Sequence, residues 1–102
     1  MRLVHELATV TPVLRIFDEG KACAFYQNFL GYTVDWVHRY GDGFPLYTGI
    51  SSGECRIHLT EHHGDATPGS AVRILTQDVR AYNQELLDTN YGDAKPGVET
   101  TP

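Results

Sequence analysis

The chain has 102 residues, of which 41% are hydrophobic and 21% charged, and its formal net charge at pH 7 is −5. A length near 100 residues is typical of one globular domain. The acidic balance argues against a nucleic-acid partner, because phosphate binding depends on clustered Lys and Arg. No run approaches 18 apolar residues, so no membrane segment is predicted and we expect a cytoplasmic protein.

The first thirty residues predict a strand followed by a helix. Residues 11–17 are rich in β-formers and contain a proline that does not fit a helix interior, which predicts a strand ending at Asp18. Asp18 then has the position of a helix N-cap. Apolar side chains recur at helical spacing after it, and Gly31 follows them where a left-handed C-terminal cap is expected.

Three further strands are predicted over residues 33–40, 46–51 and 55–60, separated by glycine-containing turns. The last of them alternates, with apolar residues on one face and Arg56, His58 and Thr60 on the other. This pattern favours an antiparallel sheet with helices on one side and a polar cleft on the other.

The opening pattern then repeats with a shift of sixty residues. Residues 71–76 predict a strand, Asp78 an N-cap, and the apolar spacing after it a helix that ends near residues 90–92. A second unit equal to the first would need about thirty residues after its helix, so its last strands are expected to be missing. Because an incomplete sheet leaves an unpaired edge, we expect a homodimer.

Several segments resemble the glyoxalase/bleomycin-resistance/extradiol-dioxygenase superfamily, also called vicinal oxygen chelate. They are Pro12-Val13-Leu14-Arg15, Phe25-Tyr26 with Phe29-Leu30-Gly31-Tyr32, Asp35-Trp36-Val37 and His58-Leu59. The resemblance implies an α+β fold of paired βαβββ modules. On this basis residues 1–102 are one domain, with module one at about 8–64 and a second module, at about 70–102, truncated at the C-terminus.

The resemblance also indicates which positions would hold a metal. Metal-dependent members take ligands from the first and last strands of each module, which correspond here to Thr11, His58 and Val72. Only His58 is a plausible ligand, and a divalent ion generally needs at least three protein donors, so we expect neither a metal nor a cofactor. The residues His58-Leu59-Thr60-Glu61-His62 also spell a zincin-like motif, but the preceding strand pattern contradicts the helix that it requires.

The favoured interpretation is a small-molecule-binding protein of the bleomycin-resistance type, which sequesters an antibiotic-like ligand in a cleft completed by dimerisation. The alternatives are a metal-dependent lyase, isomerase or dioxygenase of the same superfamily, and a remnant without activity. His58 itself fits a cleft-lining residue, a structural histidine or a ligand, and Trp36 a core anchor or a stacking surface. No catalytic residue is assigned, and the residues expected to line the cleft are Arg15, Trp36, His38, Tyr47, Arg56, His58 and Glu61.

Overall fold

The computed structural model describes residues 7–89 and 96–98. These residues form a four-stranded sheet and two helices, in the order strand, helix, three strands, helix. The strands are β1 (Val13–Arg15), β2 (Thr33–His38), β3 (Tyr47–Ser52) and β4 (Cys55–Thr60); the helices are α1 (Glu19–Ala22, continued by Cys23–Phe29) and α2 (Val79–Thr89). The predicted α+β class and the first βαβββ unit are confirmed.

Helix α1 begins and ends where the sequence predicts. The Asp18 carboxylate accepts a hydrogen bond from a backbone N–H of the first turn, at 2.8 Å. From Cys23–Phe29 the helix widens into π turns, and the Leu30 N–H donates to the carbonyl of Phe25, five residues earlier. Gly31 then takes a φ of 85°, a left-handed conformation that glycine adopts without steric cost.

The strand order across the sheet is β1–β4–β3–β2. β2 pairs antiparallel with β3, and β3 antiparallel with β4, but β1 pairs parallel with β4. The prediction of an antiparallel sheet is therefore wrong at β1. The reason is the chain path, since α1 returns the chain and two further reversals bring β4 into the same direction as β1.

The core lies between α1 and one face of the sheet. Alternation along the strands sends Ile50 of β3, and Ile57 and Leu59 of β4, towards the helix, where each is at most 3% exposed. The rest of the buried cluster is Ile16, Tyr32 and Leu46, against which Ala22, Tyr26 and Leu30 of α1 pack. Part of the apolar stripe of α1 thus covers the sheet.

The second unit differs from the first. Asp78 caps α2 as predicted, accepting a hydrogen bond from the Ala81 N–H at 3.0 Å, and the predicted end at residues 90–92 lies outside the described residues. The strand predicted over residues 71–76 is wrong: the segment is exposed and belongs to no strand. A strand requires a hydrogen-bonding neighbour, and no described strand lies beside it. Neither described helix has the length and apolar character needed to cross a membrane.

Candidate functional site

The sheet face opposite α1 carries most of the residues that the sequence singles out. The pairing register aligns Tyr47 with Thr60, and Ser51 with Arg56, so these side chains share a face. We call this surface the open face. Its members are Val13 and Arg15 of β1, Trp36 and His38 of β2, Tyr47, Gly49 and Ser51 of β3, and Arg56, His58 and Thr60 of β4.

Three aromatic rings from three strands meet at the centre of the open face. Trp36 and Tyr47 are nearly parallel, with 10° between their planes and 5.7 Å between centroids. His58 stands almost perpendicular to both, with its centroid 5.0 Å from that of Trp36 and 5.4 Å from that of Tyr47. We call Trp36, Tyr47 and His58 the aromatic cluster. Such a cluster offers flat apolar surface beside polar ring atoms, the usual composition of a small-molecule site.

Gly49 lies directly beneath Trp36 and determines how the indole sits. A Cβ placed on Gly49 would come within 2.5 to 2.7 Å of three indole atoms, closer than real contacts allow. The missing side chain lets the indole lie against the sheet backbone. One side of Trp36 is therefore covered, while 43% of the residue remains exposed. Gly49 was not predicted as a site residue, although a glycine inside a strand signals a close approach of other atoms to the backbone.

The Tyr47 hydroxyl joins the phenol to the imidazole. Its oxygen lies 2.8 Å from Nδ1 of His58, which is hydrogen-bond distance. This bond fixes the orientation of both side chains relative to each other. His58 therefore presents a defined edge to the open face, and its other ring nitrogen, Nε2, is left for further contacts.

A second group of rings continues from the cluster towards the loop after β4. His38 lies edge-on to Tyr40 at 5.0 Å, and Tyr40 edge-on to His62 at 6.4 Å between centroids. The loop is held by Thr60, whose hydroxyl donates to Asp65 and accepts from the backbone N–H of His62. The fully buried Thr60 thus positions His62 at the rim of the face.

Arg15 and Glu61 lie apart from the aromatic cluster. The Glu61 carboxylate accepts the backbone N–H of Leu46 at 2.8 Å and lies 3.8 Å from Nη1 of Arg39. The Arg15 guanidinium lies 4.6 Å from the ring centre of Phe17. Both residues line a depression of about 370 Å³ at one end of the sheet. The structure therefore brings together Trp36, His38, Tyr47 and His58, and puts Arg15 and Glu61 in a neighbouring recess.

Arg56 occupies the other end of the open face. It is exposed and lies opposite Ser51, whose hydroxyl donates to Asp35 at 3.0 Å. Arg56 and His58 point to the same side of β4 because they are two residues apart. Arg56 also lines a shallow depression with residues 9–11, so it extends the face beyond the cluster.

The described residues do not bring together the donors that a divalent metal needs. Among the described residues, no three His, Cys, Asp or Glu side chains come close enough to hold one ion. Thr11 is exposed before β1, and Val72 is 41% exposed in the segment outside the sheet. His58 thus has no neighbouring donor from the two positions that the resemblance associates with it, and its Nδ1 is already engaged by Tyr47.

Comparison with known proteins agrees with this fold. A family model described as glyoxalase superfamily protein matches residues 4–102. The chain belongs to the glyoxalase superfamily. No curated protein matches it. The solved structure described as the crystal structure of SMU.1112c is similar, with a TM-score of 0.56, 21% identity, and coverage of 81% of this chain and 75% of that one. At this identity the likeness concerns the glyoxalase fold alone.

Proposed function

We propose that this glyoxalase-superfamily chain is a small-molecule-binding protein that holds an aromatic ligand on the open face. The observation that carries the proposal is Trp36, which lies on Gly49, remains 43% exposed and has Tyr47 and His58 beside it. Contact between the apolar indole and water is unfavourable. A planar ligand stacked on the indole removes that surface from water, and this favours binding.

The proposed activity is sequestration of the bleomycin-resistance type, in the cytoplasm, with antibiotic resistance as its consequence. Ligands of that type are large, aromatic and cationic. The net charge of −5 attracts cations over a distance, and the faces of Trp36 and Tyr47 attract them at contact. Binding then needs no chemical step, in keeping with a face that carries aromatic rings and no assigned nucleophile.

The proposed cleft is completed by a second copy of the chain. Residues 72–79 expose a series of apolar side chains, of which Leu75 is 98% and Ile74 50% exposed. Exposed apolar area favours association, and a partner over the open face would give the ligand a second wall.

Fluorescence of Trp36, the only tryptophan, tests ligand binding directly. Bleomycin is expected to quench it saturably, and calorimetry is expected to show binding lost in Trp36→Ala. Val37→Ala is the matched control, because Val37 lies next to Trp36 on β2 and faces the helix side. A flat response to bleomycin and to a varied panel of aromatic drugs, or stoichiometric metal in protein purified without chelator, would contradict the proposal.

Sedimentation tests the second copy. We expect a dimer at micromolar concentration, and Leu75→Lys is expected to shift it towards monomer, because it puts a charge into the apolar segment. Arg80→Ala on the exposed side of α2 is the control and should leave the dimer unchanged. A monodisperse monomer of the unaltered protein would overturn this part of the proposal.

A further inference from the structure

The two ring nitrogens of His58 are in different environments. Nδ1 lies 2.8 Å from the Tyr47 hydroxyl, whereas no protein partner of Nε2 is found in the described part of the chain. His58 is only half-buried, and no buried side-chain nitrogen or oxygen of the described residues lacks a hydrogen-bond partner. Nε2 is therefore in contact with solvent on the open face.

The Tyr47 hydroxyl determines which nitrogen carries the proton. A neutral imidazole has one N–H and one acceptor nitrogen, and the hydrogen bond at one nitrogen sets the state of the other. A phenol is a stronger acid than a neutral imidazole N–H, and an imidazole nitrogen is a stronger base than a phenol oxygen. The O–H···N arrangement is consequently the stronger of the two. Tyr47 has no other hydrogen-bond partner in residues 7–89.

We propose that Tyr47 donates to Nδ1 of His58 and so holds Nε2 as an N–H donor, which makes the open face selective for planar aromatic ligands with an oxygen acceptor. This inference rests on the proposed function and names its ligand class. A ring stacked on Trp36 lies beside His58, whose centroid is 5.0 Å from the indole, so a carbonyl on that ring can reach Nε2. A ligand without an acceptor leaves the N–H unpaired in a partly dehydrated site.

The same arrangement explains why His58 is a poor metal ligand here. A metal binds the unprotonated imidazole nitrogen, and in the proposed tautomer the accessible nitrogen carries the proton. Tyr47 therefore converts an accessible imidazole nitrogen from an acceptor into a donor. It acts as a positioning residue, because it works on the ligand through His58 as well as through its own ring.

Four benzene derivatives separate the acceptor from the charge. Benzamide and 4-(aminomethyl)benzamide carry the carbonyl, and toluene and benzylammonium are their counterparts without it. In titrations followed by NMR, each amide is expected to bind about five-fold more tightly than its counterpart, at either charge. Tyr47→Phe keeps the ring and removes the donor, so it should reduce this ratio by about two-fold or more. Tyr40→Phe removes a phenol that does not touch His58 and should leave the ratio unchanged.

Long-range proton–nitrogen correlation spectra of His58 test the tautomer without any ligand. We expect Nε2 to be protonated and Nδ1 unprotonated in the unaltered protein, with the Nδ1–H form increasing in Tyr47→Phe. Protonated Nδ1 in the unaltered protein, or equal binding of amides and their counterparts, would overturn the inference while binding on the open face stands. If none of the four compounds shifts the signals of Trp36 and His58, the proposed function itself fails for ligands of this size.

Discussion

The two units of the chain begin with similar sequence patterns, but their described residues form different structures. In the first unit, α1 covers the sheet, and part of its apolar stripe packs against the buried cluster that contains Ile50, Ile57 and Leu59. In the second unit, the described part of α2 has one buried residue, Leu86, and each residue of the segment 71–78 before it is exposed. A hydrogen bond between the two units runs from the Tyr82 hydroxyl to the carbonyl of Leu30. Stability is therefore concentrated in the first unit.

The difference shows that helices depend on local interactions, whereas strands depend on a neighbouring segment. Both helices form with their predicted aspartate caps, because helical hydrogen bonds and caps are local. β1 and residues 71–76 have similar strand propensity, yet only β1 forms a strand, because β4 lies beside it. A strand is therefore a property of a pair of segments, and the second unit has no described partner for its first strand.

Truncating one apolar side chain in each unit should give the largest contrast. Ile57→Ala removes a side chain that is 1% exposed and is expected to lower the free energy of unfolding by about 2–5 kcal/mol. Leu75→Ala should change it by no more than about 0.5 kcal/mol in dilute monomer, because Leu75 is 98% exposed. Urea denaturation measures both. Equal losses would show that the second unit is packed in solution.

A substitution at Gly49 tests the packing of the open face without changing a side chain of the buried core. Gly49→Ala places a methyl group against the indole of Trp36, so the ring must move, with an expected loss of about 1–3 kcal/mol and a changed tryptophan near-ultraviolet signal. Gly64→Ala is the control, since no atom lies within 4 Å of its added Cβ, and should stay within about 0.5 kcal/mol. An unchanged Trp36 signal in Gly49→Ala would mean that the indole does not lie on this glycine.

Much of the first unit could be predicted because its signals are local and consistent. The boundaries of β4 at residues 55–60 were predicted correctly, as was the cap at Gly31, since alternation and glycine report directly on the backbone. β1 is shorter than predicted, with three paired residues instead of seven. Its length depends on how far β4 extends beside it, which no pattern within residues 11–17 contains.

Less of the candidate site could be predicted. Trp36, Tyr47 and His58 come from three strands, and only their register and the bulge near Asp35 bring the rings together. The sequence indicated the polar face of β4 but not the hydrogen bond from Tyr47, which depends on side-chain rotamers. Glu61 follows a site strand and was expected in the cleft, whereas its carboxylate binds the backbone of Leu46. Its expected role in ligand binding stays a prediction.

Removing the N-cap of each helix compares how much α1 and α2 contribute to the stability of the fold. Asp18→Ala is expected to lower the global free energy of unfolding by about 1 kcal/mol, because α1 unfolds together with the core. Asp78→Ala should mainly speed amide exchange in α2 and change the global value less, since α2 is weakly packed. The asparagine variants retain an acceptor and serve as controls. Equal global losses would mean that the two helices unfold as one unit.

The smallest effect is expected at alkaline pH, where buried tyrosines distinguish the units again. Burial raises the pKa of Tyr32, and its hydrogen bond with Cys55 raises it further; burial also raises the pKa of Tyr82. A group whose pKa is raised by folding contributes its stability below the unfolded pKa, near 10, and loses it as the pH rises towards the folded value. The free energy of unfolding should therefore decrease above about pH 10. Tyr32→Phe should flatten this decrease more than Tyr82→Phe, because Tyr32 belongs to the buried cluster of the first unit.

Urea denaturation at several pH values above about 10 measures this decrease in the two variants. If the free energy of unfolding fell equally steeply with pH in both, Tyr82 would be buried between α1 and α2 to the same extent as Tyr32 is buried in the core.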